Sequence, residues 1–83
     1  MLSDALEHLV RGIVTNPDDV RIKDKDLRRG RMLEVRVHPS DVGKVIGRQG
    51  RTAAALRTVV GALAGSEQVR IDFVDVDRRQ RRN

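Results

Sequence analysis

The 83-residue chain predicts a two-layer α/β domain (α+β), with elements in the order α-β-β-α-α-β. Its sheet is three-stranded and mixed, with the helices on one face. Three observations carry this reading. Two runs of alternating apolar and charged residues flank a short glycine-containing turn, the pattern of an antiparallel hairpin. Two stretches at helical spacing follow, then a last alternating run, which makes a β-α-α-β crossover. Its right-handedness sets the first and last of those strands side by side and parallel. All three alternating runs have a single apolar face, so helices cover one side of the sheet and water the other.

The elements follow in order along the chain. Leu2, Leu6, Leu9, Val10 and Ile13 recur at helical spacing with Asp4, Glu7 and Arg11 opposite, which predicts an amphipathic helix of about three turns with Ser3 as its N-cap. "TNPDD" ends it, with Pro17 marking a turn. In "VRIKDKDL" Val20 and Ile22 alternate with charged residues, and in "MLEVRV" Leu33, Val35 and Val37 share one face against Glu34 and Arg36; Gly30 lies in the turn between these strands. Ser40 or Asp41 can cap a short helix whose apolar face is Val42, Val45 and Ile46. "TAAALRTVVGALAG" predicts a second helix with Leu56, Val59, Val60 and Leu63 on one stripe and Gly65 at its end. "VRIDFVDV" is the last strand; Phe73 is in phase with Val69 and Ile71 and reads as core.

Length and composition bound the function. The chain supports one domain, expected over residues 1–76, and 39% apolar residues give it a modest core. No cysteine is present, which removes disulfides and thiolate metal sites and fits a reducing compartment. "MLSDALEHLV" carries two acids and no basic leader, so it does not read as a signal peptide. No apolar run approaches the roughly 20 residues that cross a bilayer. The expectation is a cytoplasmic protein without membrane insertion. The net charge of +5 is concentrated: "RRQRRN" at 78–83 holds four arginines, leaving 13 basic and 12 acidic groups in residues 1–77. Residues 77–83 have nothing to bury and read as a basic, disordered tail. Its arginines serve solubility, non-specific RNA contact or membrane contact. Within the body, residues 42–66 hold Lys44, Arg48, Arg51 and Arg57 and no acid. Two electropositive features of this kind attract polyanions.

The second feature contains "GKVIGRQGRT", residues 43–52. Gly47 and Gly50 bracket Arg48 and Gln49 between two helices. Glycine there permits a tight reversal and lets a ligand approach bare backbone. The next helix points its unpaired N–H groups and the positive end of its dipole into that reversal, as phosphate-binding helices do. Lys44, Arg48 and Arg51 add charge beside it. A bare G-x-x-G equally makes a plain helix–turn–helix, so the β-α-α-β frame and the flanking cations carry the weight. A P-loop would need glycine where Val45 stands, and the G-x-G-x-x-G spacing of dinucleotide folds is absent.

On this frame "VIGRQGRT" resembles the KH domain, and the extra helix and strand ahead of the β-α-α-β core resemble its bacterial, type II arrangement. The resemblance covers residues 1 to 76 and extends to the small stand-alone bacterial KH RNA-binding proteins. It implies single-stranded RNA in a narrow groove, with Gly47, Arg48, Gln49 and Gly50 clamping the backbone of about four nucleotides. By the same resemblance Gly43 and Ile46 form one apolar wall and Val69 and Ile71 the other; Lys44 and Arg51, whose charge flanks the loop, complete the expected RNA-binding residues. It further implies a post-transcriptional regulator or RNA chaperone, pairing with a second, larger KH-domain protein, and a link to cell shape. Composition agrees with an aliphatic groove, since Phe73 is the one aromatic residue and RNA modules that stack bases need more.

Other candidates are set aside. His8 and His38 are far apart with no ligand spacing, and Asp18–Asp19 and Asp24–Asp26 read as solvated turn and edge charges. No nucleophile–base set is present, so neither catalysis, cofactor nor metal is expected. A different class of function stays open: a protein-interaction module that forms a homodimer or heterodimer, with weak RNA binding. One four-nucleotide clamp has modest affinity, and a second copy would help by avidity.

Overall fold

The computed structural model describes residues 2–74; the expected basic tail over 77–83 lies outside the described residues. Helix α1 (Leu2–Arg11) buries Leu6 and Val10. Ser3, expected as the cap, lies inside its first turn, because the helix extends back to Leu2, which also packs on the core. A 3-10 turn, Pro17–Asp19, then delivers buried Val20 to strand β1 (Arg21–Leu27).

Strand β1 pairs antiparallel with β2 (Gly30–Arg36), from Arg21 opposite Arg36 to Leu27 opposite Gly30. Strand β3 (Val69–Phe73) pairs parallel with β2, from Arg31–Val69 to Val35–Phe73. The sheet order is β1-β2-β3, as the crossover argument requires. The register puts Leu33, Val35, Ile71 and Phe73 on the helix-covered face. Edge strand β1 is exposed apart from half-buried Ile22, and its Lys23, Asp24, Lys25 and Asp26 blunt the open edge against further pairing.

Helix α2 (Val42–Ile46) follows a 3-10 turn at Pro39–Asp41, and α3 (Arg51–Ala64) carries the chain back to β3. Val42, Val45, Leu56 and Val60 close the core over the sheet together with Leu6 and Val10 of α1. The stripe expected on α3 divides. Ala53, Leu56 and Val60 are buried, whereas Val59 is 44% and Leu63 58% exposed. The helix touches both the sheet and α1 along a narrow line of every third or fourth residue, so the neighbouring pair at i and i+4 faces outward. Phe73 is half-buried against the core, and the Arg57 guanidinium lies 5.3 Å from its ring centroid.

Candidate nucleic-acid interface

The junction of α2 and α3 is built from two glycines and one strained residue. Gly47 ends α2 at φ 78°, ψ 170°, its N–H bonded to the Gly43 carbonyl at 2.8 Å. A Cβ there would collide with Thr52, whose own Cβ would be 2.7 Å away, so both conformation and space demand glycine. Gly50 stands at φ 76° in the left-handed region with open space around it. Between them Gln49 also adopts left-handed geometry, φ 57°, ψ 25°. That conformation costs a residue with a Cβ about 1–2 kcal/mol. It turns the 48–50 segment outward, with Arg48 and Gln49 both exposed.

Charge collects on this loop unevenly. Among the described residues Arg48 has no carboxylate partner, and Arg51 contacts only the Gln49 side-chain oxygen, at 3.4 Å. Lys44 is engaged instead: its ammonium donates to the Thr15 hydroxyl at 2.6 Å and lies 3.6 Å from Asp41. The N-terminus of α3 begins at Arg51, so its dipole and first N–H groups add to the loop's positive field. Gly43 is exposed with nothing within 4 Å of where a Cβ would project, and half-buried Ile46 follows one turn later. That pair leaves a smooth apolar flank beside the loop.

At the start of α2 sits Asp41, fully buried. It occupies the N-cap position of α2 without capping that helix. Its carboxylate turns instead to the segment after α1. Oδ1 accepts the Thr15 N–H at 3.1 Å, and Oδ2 accepts the Asn16 N–H at 2.9 Å and its side-chain amide at 3.0 Å. Burial by itself raises the carboxyl's pKa. The Asn16 amide, the two backbone N–H groups and the Lys44 ammonium outweigh burial and lower it from 3.8 to about 2.

Residues 43–51 of the expected site therefore gather at one junction. Val69 and Ile71 stand on β3, with Val69 at the strand's start beside Arg31, the end remote from the junction. Ile71 is 4% exposed and packs in the core, while Val69 and Phe73 keep partial exposure. Geometry and sequence meet in a family model for the KH domain of KhpA and KhpB, which matches residues 3–76. The chain belongs to the KhpA/KhpB KH-domain family.

Relatives within the KhpA/KhpB family are similar over nearly their whole length. The RNA-binding protein KhpA of Streptomyces coelicolor is 71% identical over 77 residues, covering 93% of this chain and 96% of the relative. KhpA of Mycobacterium tuberculosis is 63% identical over 75 residues, 90% of this chain and 92% of the relative. KhpA of Halalkalibacterium halodurans is 49% identical over 72 residues, 84% and 95%. No solved structure matches the chain. Among the described residues no His, Cys, Asp or Glu cluster is suited to a metal, and no helix is long and apolar enough to cross a membrane.

Within this KhpA/KhpB-type fold, the buried role of Asp41 escaped the sequence reading. "SD" before an apolar run reads as a cap. Only the packing of the Thr15–Asn16 segment against α2 shows that the carboxylate faces across the fold.

Proposed function

We propose that this chain is a non-enzymatic, cytoplasmic RNA-binding protein whose KH domain, residues 1–76, holds single-stranded RNA at the α2–α3 junction. The observation that carries the reading is the outward turn of residues 47–50. Two positive-φ glycines and a left-handed Gln49 present Arg48, unpaired among the described residues, and exposed backbone at the start of a helix. Phosphate oxygens fit there because they need donors and positive charge at close range. Gly47, Arg48, Gln49 and Gly50 take the sugar–phosphate backbone, with Arg51 beside them. Lys44 contributes less, since Asp41 draws on its charge. Gly43 and Ile46 give one apolar wall, and Val69, supported by Ile71, the other. The names of the KhpA relatives agree with RNA as the ligand. A post-transcriptional or chaperone role accords with a module that reads few bases, and the arginines at 78–83 would add non-specific attraction.

Replacing Arg48 and Gln49 together by Asp tests this. Aspartate tolerates left-handed geometry and suits a helix N-terminus, so the fold survives. A short unstructured RNA titrated against the variant then shows no binding, while circular dichroism matches wild type. Undiminished binding by a folded variant would refute the clamp.

A second reading has its own observation. Val59 and Leu63 form an exposed apolar pair on α3, one helical turn apart. Such a pair supports pairing with a second copy, or with a second, larger KH-domain protein as the two-member family name accords with. Pairing would join two short clamps and raise affinity for longer RNA by avidity.

A further inference from the structure

An open concavity of about 750 Å³ lies at the end of the sheet remote from the glycine loop. Topology fixes its place. Strand β2 leads from Gly30 towards α2, and α3 then returns so that Val69 pairs beside Arg31. The β1–β2 turn, Arg28–Arg29, and the start of β3 therefore share one end of the sheet, and the α2–α3 junction lies at the far end of α3. Leu27 and Val69 supply the apolar part of the concavity, and Gln68 with Arg28, Arg29, Arg31 and Arg70 the polar part. Arg31 is matched by acids: Asp24 at 3.3 Å, Glu67 at 3.9 Å and Asp26 at 4.0 Å. Arg28, Arg29 and Arg70 are all exposed, and among the described residues none has a carboxylate within ion-pair distance.

Three guanidinium groups on one concavity, without a carboxylate partner among the described residues, repel one another. A polyanion relieves that repulsion, and planar guanidinium forks match phosphate oxygens in pairs. We propose that this arginine cluster is a second phosphate-binding site for the same RNA strand, so that the protein engages RNA longer than the four nucleotides of the clamp. The proposal rests on the RNA-binding reading of the glycine loop. Distance argues for one extended strand rather than one enlarged site. The 14 residues of α3 span about 21 Å at 1.5 Å per residue. That separation sets the arginines apart from the loop, so the two sites take different phosphates of the strand. Val69 belongs both to the proposed groove wall and to the arginine concavity, so a strand leaving the groove along β3 arrives among these side chains.

The test compares randomised-sequence RNAs of about four and about twelve nucleotides, titrated over a range of salt with wild type, the triple variant Arg28→Gln/Arg29→Gln/Arg70→Gln, and the corresponding triple lysine variant. With about 0.7 counterions released per contact in single strands, three contacts steepen the log–log salt slope by about 2. The expected result is that the glutamine variant loses on the order of tenfold in affinity for the longer RNA, with a slope shallower by about 2. Its affinity for the short RNA stays at the wild-type value, and the lysine variant keeps most of the steeper slope. Unchanged affinity for the longer RNA, or equal weakening for both lengths, would overturn the second site and leave the clamp standing. Wild-type protein that binds neither RNA would instead sink the underlying RNA-binding reading.

Discussion

Asp41 and Asn16, 25 positions apart in the chain, are joined through a single carboxylate oxygen that accepts both the Asn16 backbone N–H and its side-chain amide. With Thr15 on the other oxygen, this knot ties the segment after α1 to the start of α2. It therefore fixes where the helix begins that leads into the glycine loop.

The knot makes stability depend on acid. The folded-state pKa of Asp41 is depressed, from 3.8 to about 2, so its contribution is complete above the ordinary carboxylate range. It is lost as pH falls from about 4 through about 2, because the unfolded chain binds the proton first. Asp41→Ala lowers Tm at neutral pH and flattens the decline in stability over that interval. A variant whose acid denaturation profile parallels wild type would show that Asp41 carries no such linkage.

The two loop glycines are not equivalent. At Gly47 a side chain meets both a positive φ and the atoms of Thr52, whereas at Gly50 it meets a positive φ in open space. Gly50→Ala costs about 1–2 kcal/mol, the ordinary penalty for left-handed geometry. Gly47→Ala costs more than that, since the backbone must also move away from Thr52. Urea denaturation of the two variants gives the order directly. Equal midpoints would mean that Thr52 yields without cost.

Exposed Val59 and Leu63 predict a change of assembly without a change of fold. Neither residue belongs to the buried core, so Val59→Lys with Leu63→Lys leaves the thermal midpoint within a few degrees. Sedimentation of wild type at rising concentration gives a dimer, and the double variant stays monomeric at the same concentrations. If both species sediment alike, this helix face is not the pairing surface.

Much of this protein is legible in its sequence, for physical reasons tied to particular elements. The alternation in "MLEVRV" can bury only one face, and a right-handed crossover leaves β3 one place to pair, beside β2 and parallel to it. The glycine loop was equally visible, since a Gly-x-x-Gly flanked by cations between two helices marks a reversal. What only the tertiary structure decided depends on neighbours that periodicity does not name. Leu56 and Val60 face the core while Val59 and Leu63 face solvent, because α3 touches the sheet and α1 along one narrow line. Lys44 was expected to add its charge beside the loop and is instead held by Thr15 and Asp41, which come together only when the segment after α1 packs on α2. Arg70 stands some forty positions after Arg28 and Arg29, and the parallel pairing of β2 with β3 brings the three to one concavity. Local pattern determined which residues form helices and strands; long-range packing decided which charges were left without a partner.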